Sequence, residues 1–259
     1  MTSLQRSERA RAARSALAQC RLCAHDCGVN RLAGERGLCR ATDEARVFSA
    51  QIEVADEMEL IPTFAIALSG CDLRCEFCIS AAESWNPRAG EPLDAERLVA
   101  QAAGARTVMI LGGEPTVHLP AALEIAAALP DETRLVWKTN AHGSAQAREL
   151  LDGVFDVWLA DYKFGKDECA LRLARVENYS EVARENLLWA ATHSELIVRH
   201  LLMPGHVDCC WKPIARWLAE ELPGEKVSLR TGFWPTGVSG AETERAFAIA
   251  RDYGLNLIE

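Results

Sequence analysis

The pattern of hydrophobic and polar positions along the chain changes at residue 62. From there to the end of the chain, short apolar runs alternate with stretches of Ala, Leu, Glu and Arg at helical spacing. The runs predict strands at 63–68, 107–111, 135–138, 157–160, 196–202 and 227–229. The intervening stretches predict helices near 93–103, 120–129, 144–151, 180–192, 211–221 and 241–253. Six strand–helix units in succession predict a parallel sheet in an α/β fold.

The length of this repeating region limits the architecture. A closed eight-unit barrel usually needs about 250 residues, whereas about 198 of the 259 residues follow position 61. A partial (β/α)6 TIM-like barrel therefore fits better, with an open doubly wound sheet as the structural alternative.

The first sixty residues follow a different pattern. Residues 4–19 predict a helix, a cysteine-rich stretch runs from Cys20 to Cys39, and 46–54 alternate as a strand that we expect to form a hairpin with 57–61. We predict two domains, a cysteine-rich N-terminal appendage at 1–60 and the barrel at 61–259.

Polar or glycine-containing segments follow each of the six predicted strands. They read SGC, GGEP, TN, DYK, RHLLMPG and RTGFWP in chain order. Because the chemistry of such folds collects at the carboxyl ends of the strands, these segments predict one shared site.

The first of these segments carries three cysteines, Cys71, Cys75 and Cys78, at the spacing C-x3-C-x2-C. Thiolates are the usual ligands of iron–sulfur clusters. Three thiolates leave one iron of a [4Fe–4S] cluster without a protein ligand, and that iron can bind a small molecule. A zinc site and buried free thiols are the alternatives, but zinc sites generally use paired C-x2-C units with a fourth ligand.

This loop, placed after the first barrel strand, resembles that of the radical S-adenosylmethionine (SAM) superfamily. The family carries an aromatic residue just before its last cysteine, and Phe77 matches it. The resemblance implies a [4Fe–4S] cluster on the three cysteines, SAM as the second cofactor and a backbone contact from Phe77 to the adenine.

Gly112, Gly113 and Glu114 resemble the GGE segment of the same family. The resemblance implies that the glycines let the backbone approach the methionine part of SAM, and that the glutamate accepts a hydrogen bond from its amino group. Glycine has no Cβ to block such an approach, and a carboxylate pairs well with an ammonium group.

Five further residues match SAM-binding positions by resemblance. Asp161 and Lys163 resemble the DxK of glycyl-radical-enzyme activases, which implies that Lys163 pairs with the SAM carboxylate and that Asp161 binds ribose or a cation near SAM. Arg199 resembles a SAM-binding arginine on the fifth strand of those activases. Lys138 and Asn140 lie where the family carries a TN or TNG segment. An ordinary salt-bridged residue is the alternative for each.

A second cysteine set lies in the appendage. Its members are Cys20, Cys23, Cys27 and Cys39, and His25 lies among them. Four ligands within twenty residues predict a second metal site, either structural zinc or an auxiliary iron–sulfur cluster. The surrounding pattern resembles proteins described as pyruvate formate-lyase activating enzyme-like. Activases with extra clusters, however, carry their additional cysteines after the C-x3-C-x2-C loop.

Several other reactive side chains are candidates for the substrate side of the barrel. They are Cys169, His200, His206, Cys209, Cys210 and Trp234. A lone His or Cys is more often structural.

Charge and composition narrow the partners. The net charge is −9, but residues 1–46 carry nine Arg and five acidic residues. The acidic balance argues against a nucleic-acid partner, while the basic N-terminus suits an acidic electron donor such as flavodoxin or ferredoxin; a solvated Arg-rich helix is the alternative. Without an apolar run long enough for a membrane or a secretory signal, we expect a cytoplasmic protein.

Together these patterns predict an activase-like oxidoreductase. By resemblance, it would cleave SAM reductively to a 5′-deoxyadenosyl radical that abstracts a substrate hydrogen, with a glycyl radical enzyme as the first candidate substrate. An enzyme acting on a small molecule or another peptide is the second hypothesis. An iron–sulfur electron carrier is the third, and the GGEP and DYK segments count against it, because a carrier needs no SAM site.

Overall fold

The computed structural model describes residues 1–55 and 57–258, so Asp56, in the predicted appendage, and Glu259, the last residue of the predicted barrel, lie outside the described residues. Within them the strands are β1 (Arg46–Glu53), β2 (Thr63–Leu68), β3 (Glu91–Pro92), β4 (Thr107–Gly112), β5 (Leu135–Thr139), β6 (Val157–Asp161), β7 (Glu195–Leu201), β8 (Lys226–Arg230) and β9 (Asn256–Ile258). The helices are α1 (Ser3–Ala16), α2 (Ala81–Ser84), α3 (Ala95–Gln101), α4 (Leu119–Ala128), α5 (Ala145–Leu151), α6 (Asp167–Ala174), α7 (Tyr179–His193), α8 (Lys212–Glu221) and α9 (Gly240–Asp252).

One sheet organises the whole molecule. Its strand order is β3-β1-β2-β4-β5-β6-β7-β8-β9. All neighbours from β2 to β9 are parallel, whereas β1 runs antiparallel to β2 and β3. The parallel strands follow one another in chain order without the reversal that defines a doubly wound sheet. This order favours the partial barrel.

The predicted hairpin between 46–54 and 57–61 was wrong. β1 pairs instead with β2, in a register that runs from Val47 opposite Leu68 to Glu53 opposite Thr63. Residues 57–60 form a turn, in which the Leu60 N–H donates to the Glu57 carbonyl at 2.9 Å. Pairing with β2 covers one side of the first parallel strand, which a short local hairpin would leave open.

The central strands separate two apolar clusters. Ile110, Trp137 and Ala160 belong to a large cluster shared with the helices, whereas Met109 and Leu159 belong to a small cluster on the opposite face. Successive side chains of a strand point to opposite faces, and both faces of these strands are buried, as parallel sheets require.

The N-terminal segment packs against the barrel helices through buried arginines. Arg6, on α1, donates to the carbonyls of Ala126 and Asp131 at 3.1 and 3.4 Å. Arg31 is 1% exposed and donates to the carbonyl of Val117 at 2.6 Å. Ala13 of α1 belongs to the same apolar cluster as the barrel helices.

No helix in the described part of the chain combines the length and the apolarity needed to cross a bilayer.

Candidate functional site

The three-cysteine loop leaves β2 at the carboxyl edge of the sheet. The thiols of Cys71 and Cys75 are buried and that of Cys78 is partly buried. The N–H groups of Arg74 and Glu76 donate to the last carbonyls of α6, at 3.1 Å to Ala174 and 2.8 Å to Leu173. The loop is therefore fixed to the fourth strand–helix unit as well as to β2.

Burial opposes ionisation of the Cys71 and Cys75 thiols. It raises the pKa of Cys71 well above its usual value and that of Cys75 to about 11, although Lys163 partly offsets the shift at Cys75. Since thiolates rather than thiols bind metals, a metal at this loop must displace protons. Two buried thiols and a partly buried one on a single loop, near the Lys163 cation, fit a [4Fe–4S] cluster.

The spacing of potential ligands separates a cluster from a single ion. A tetrahedral zinc ion, with Zn–S bonds of about 2.3 Å, holds its thiolates about 3.8 Å apart. In the described residues, two groups have all their potential ligand atoms within 4.8 Å of one another, and neither group contains any of the seven cysteines predicted as metal ligands. Cluster thiolates bind different irons and so lie farther apart, so the position of these cysteines outside both groups is compatible with a cluster at the three-cysteine loop.

The two glycines after β4 lie against the backbone that carries the cysteines. A Cβ on Gly112 would come 2.0 Å from the Leu68 carbonyl oxygen, and one on Gly113 would come 2.1 Å from the Gly70 carbonyl oxygen. The Gly113 N–H donates to Leu68 at 3.0 Å. Contacts within the protein therefore already require glycine at both positions. The approach of this backbone to SAM stays a prediction.

Glu114 lies at the centre of a buried hydrogen-bond network. Its Oε1 accepts from both the N–H and the hydroxyl of Thr116, at 3.1 and 2.6 Å, and from the Thr139 hydroxyl at 2.8 Å. Its Oε2 accepts from the Asn140 N–H at 2.7 Å. Burial, with the nearby Asp72, raises the pKa of Glu114 to about 7. A carboxylate oxygen can accept two hydrogen bonds, so Oε2 keeps capacity for one more donor.

A cluster of charges occupies the ends of β6 and β7. Lys163 Nζ lies 2.6 Å from Asp161 Oδ2, and Arg199 Nε lies 3.9 Å from Asp161 Oδ1. Burial opposes ionisation of Asp161, but Lys163, Arg199 and Lys138 outweigh it and lower its pKa. Although burial alone would lower the pKa of Lys163, Asp161 and Cys75 raise it, so the ammonium stays charged. The structure thus gathers these four predicted residues beside the cysteine loop.

Tyr179, which the sequence analysis did not identify, joins the ends of two strands, β5 and β6. Its hydroxyl donates toward the carbonyls of Asn140 and Asp161, at 3.0 and 2.9 Å, and accepts from the Lys163 N–H at 3.0 Å. It is fully buried at the start of α7. Tyr179 lies sixteen residues beyond the DYK segment, and no local pattern points from it to the site.

Asp72 was also missed, although it lies between the first two cysteines. Its Oδ2 lies 2.7 Å from His142 Nδ1, and its Oδ1 accepts from Asn140 Nδ2 at 2.8 Å. His25 from the appendage packs edge-on against His142, and its Nε2 lies 2.9 Å from the Asp72 carbonyl. His25, Asp72 and His142 form one of the two close ligand groups.

The appendage cysteines lie next to this group. Cys20 pairs with Val29, and Cys23 pairs with Gly143 of the barrel, through isolated β-bridges. Burial, with a contribution from Asp72, raises the pKa of Cys23 well above its usual value. A Cβ on Gly37 would lie 2.7 Å from Cys27 Sγ. Burial likewise raises the pKa of Cys39.

A cavity of about 330 Å³ opens beside Phe77. Phe77 packs against Phe164 and Phe233, with ring centroids 6.0 and 5.8 Å apart. Trp234, 71% exposed, and His206 also line the cavity. His206 and Trp234 thus lie at the same cavity, and their contact with a substrate stays a prediction.

His200 does not face this cavity. It is buried beneath the stacked ring of Trp211, and its Nδ1 lies 2.7 Å from the Tyr162 carbonyl. Burial lowers its pKa to about 4. His200 is a neutral core residue.

This chain is similar in sequence to known proteins. Residues 66–218 match the Radical SAM superfamily. The uncharacterized protein MJ0674 of Methanocaldococcus jannaschii is 30% identical over 271 aligned positions, which cover 95% of this chain and 78% of that protein.

Two solved structures share the fold. SuiB of Streptococcus suis bound to S-adenosylmethionine aligns with a TM-score of 0.54 and 18% identity, over 72% of this chain and 47% of that one. This chain therefore spans less than half of SuiB. A domain of pyruvate-formate lyase-activating enzyme from Bacteroides vulgatus aligns with a TM-score of 0.50 and 20% identity, over 58% and 96% of the two chains.

These likenesses confirm the α/β fold with a partial TIM-like barrel, and the family match confirms that the chain is an enzyme. The family implies a [4Fe–4S] cluster, SAM and an electron donor. The chain belongs to the radical SAM superfamily.

Proposed function

We propose that Cys71, Cys75 and Cys78 hold a [4Fe–4S] cluster and that the enzyme abstracts a hydrogen atom from a protein or peptide substrate. When bound, the cluster supplies the electron that cleaves SAM to methionine and a 5′-deoxyadenosyl radical. The observation that carries the proposal is the meeting of the three-cysteine loop with Asp161 and Lys163 at one edge of the sheet.

The charged residues position SAM in this proposal. Lys163 and Arg199 offer positive charge to the methionine carboxylate, and each now faces Asp161. Asp161 either accepts a ribose hydroxyl or holds a cation beside SAM. Lys138 adds a positive charge near the same carboxylate. Asn140 fixes the cysteine loop through Asp72.

Phe77 and Glu114 complete the SAM site. The free acceptor capacity of Glu114 Oε2 suits the amino group of SAM. Gly112 and Gly113 beside it add no side chain to the end of β4. The backbone of Phe77 reaches the adenine, while its ring forms one wall of the cavity.

A polypeptide fits the cavity rim. Met203, Pro204 and Phe233 give it an apolar lining, and Trp234 projects from its edge. Exposed aromatic side chains of this kind are enriched where proteins bind partners. By the resemblance to glycyl-radical-enzyme activases, a glycyl radical enzyme is the first candidate partner. Flavodoxin or ferredoxin is the candidate electron donor.

A small molecule is the second candidate substrate. The cavity volume of about 330 Å³ falls within the range of small-molecule sites. A glycyl-radical EPR signal on mixing with a partner protein supports the first candidate. Turnover of a low-molecular-weight substrate without any such signal supports the second.

Cys75→Ala tests the proposal. We expect the variant to lose the cluster of this loop and all 5′-deoxyadenosine formation under strong reduction, because one of three ligands is gone. The measurement is product formation by chromatography after anaerobic iron–sulfide reconstitution. Continued production of 5′-deoxyadenosine would contradict the assignment.

A charge-matched pair tests the SAM contacts. Lys163→Met should weaken SAM binding about tenfold or more, since it removes one charge-assisted hydrogen bond. Lys166→Met, an exposed lysine three residues away, should leave SAM binding unchanged. Equal SAM affinity in the two variants, measured by calorimetry, would remove Lys163 from the site.

We also propose that the appendage at residues 1–60 forms a unit that binds a second metal through Cys20, Cys23, Cys27 and Cys39. These thiols lie outside both groups with the close spacing of a single ion, an arrangement compatible with an auxiliary iron–sulfur cluster, whose thiolates bind separate irons. Zinc is the alternative occupant.

A further inference from the structure

A second set of sulfur and nitrogen ligands lies beside the cavity, away from both cysteine sites already described. Its members, called here the Cys₃His set, are Cys169, His206, Cys209 and Cys210. All four potential ligand atoms lie within 4.8 Å of one another. Cys169 is on α6 and the other three follow β7, so the set joins two separate strand–helix units.

The distances within the set match one tetrahedral ion. His206 Nδ1 lies 3.2 Å from Cys209 Sγ and 3.5 Å from Cys210 Sγ. Zinc with bonds of about 2.3 Å to sulfur and about 2.0 Å to nitrogen places sulfur and nitrogen about 3.6 Å apart. The side chains therefore need little movement to enclose an ion.

The backbone brings neighbouring cysteines to the same ion. Residues Val207–Trp211 form a π-helical turn, in which the N–H groups of Cys210 and Trp211 both donate to the His206 carbonyl. Such turns are rare and are frequently found at functional sites.

A glycine permits the close approach of the other chain segment. A Cβ on Gly165 would lie 2.3 Å from the Cys210 carbonyl oxygen. Only glycine leaves room for this contact, which brings the segment leading into α6, and with it Cys169, against the π-helical turn.

We propose that the Cys₃His set is a structural zinc site. Cys₃His is an established donor set for structural zinc, and four protein ligands leave no open coordination position. Soft thiolates also select zinc over the hard cations Mg²⁺ and Ca²⁺. A [4Fe–4S] cluster does not fit, because these ligand atoms are too close together to bind separate irons.

Arg172 has to adjust when the ion binds. Its Nη2 lies 3.2 Å from His206 Nε2. With Nδ1 on zinc, Nε2 carries the proton and no longer accepts a hydrogen bond. Arg172 is exposed, so its side chain is free to turn away.

In this proposal the zinc fixes α6 to the segment after β7, beside the cavity. The last carbonyls of α6 hold the three-cysteine loop, and His206 itself lines the cavity. An ion that ties α6 to the segment after β7 fixes the distance between the cluster loop and the substrate side.

Zinc content tests the site independently of SAM cleavage. The full chain is purified without oxygen, reconstituted with iron and sulfide, and analysed by mass spectrometry for zinc. We expect about one zinc per chain in the wild type and in Cys23→Ser, and almost none in Cys169→Ser. Cys23→Ser is the matched control, because it removes a partly buried thiol from the appendage set.

Two results would overturn the proposal. One is zinc retained in full by Cys169→Ser; the other is zinc-free wild-type protein, with or without a disulfide within the set. Loss of 5′-deoxyadenosine formation with normal zinc content would instead concern the three-cysteine loop.

A second measurement tests the site even if Cys169→Ser fails to fold. Zinc X-ray absorption of the folded Cys23→Ser protein should show three sulfurs at about 2.3 Å and one nitrogen at about 2.0 Å. Four sulfurs without nitrogen would reject the Cys₃His set.

Discussion

Asp72 connects the cysteine loop to two other parts of the chain. Its carboxylate is enclosed, with His142 on one oxygen and the Asn140 amide on the other. Burial opposes its ionisation, but the hydrogen bond and charge of His142 prevail and lower its pKa. Buried charged groups of this kind persist only when they are paired, so Asp72 fixes the orientation of the loop.

Asp72→Asn should lower the free energy of unfolding by about 1–3 kcal/mol, because the amide cannot satisfy both His142 and Asn140 as the carboxylate does. Urea denaturation of the reconstituted protein measures this change. Asp26→Asn is the control: Asp26 pairs with Arg21 at the surface, with 61% of its side chain exposed, and should cost at most about 1 kcal/mol. Equal losses in both variants would refute the role given to Asp72.

At the scale of elements, the ends of β2 and β4 are in direct contact. The Glu114 N–H donates to the Gly70 carbonyl at 2.9 Å, and a Cβ on Gly113 would lie 2.1 Å from the same oxygen. Two strand ends held this closely leave no room for a methyl group.

Gly113→Ala should therefore destabilise the fold by about 1–3 kcal/mol through overpacking and reduce iron retention at the three-cysteine loop. Thermal unfolding and iron analysis check the two effects. Gly232→Ala provides the control, since a Cβ there meets no atom within 4 Å. If both substitutions shift the unfolding midpoint alike, the strand-end contact is not the cause.

Most elements of the barrel could be predicted from local pattern. The six central strands lie where alternating apolar runs placed them, because parallel strands are buried on both faces and therefore strongly apolar. The two-residue β3 and three-residue β9 were missed, since so few residues carry no period. The partner of β1 was wrong, because local sequence does not encode long-range pairing.

Site prediction had the same limit. Residues within contiguous motifs, such as Cys75 and Lys163, could be proposed from the sequence because their spacing is local. Tyr179 and His142 were not, since only the folded chain brings them to Asp161 and Asp72. The Cys₃His set escaped recognition as a metal site for the same reason: Cys169 is distant from Cys209 in the sequence.

At the scale of the whole molecule, three sulfur-rich sites surround one barrel opening. The three-cysteine loop is fixed to α6, the appendage reaches the barrel through Cys23 and Gly143, and the Cys₃His set ties α6 to the chain after β7. Of these three, the Cys₃His set has all its potential ligand atoms within 4.8 Å of one another, the spacing of a single ion.

Metal analysis of the whole chain should reflect this arrangement. We expect about eight iron atoms per chain after reconstitution, four for each of two clusters. Cys23→Ser should lose about half of the iron while keeping the SAM-dependent cluster. About four iron atoms in the wild type, with an additional zinc that Cys23→Ser removes, would assign zinc to the appendage.

His206 belongs to both the Cys₃His set and the cavity wall. Ion binding at the Cys₃His set and compound binding in the cavity are therefore thermodynamically linked, and such linkage is reciprocal. A compound that fills the cavity and presses His206 toward the thiols would tighten ion retention, and the ion would strengthen capture of that compound by the same factor. Chelator resistance then becomes a way to screen for the natural substrate without observing turnover.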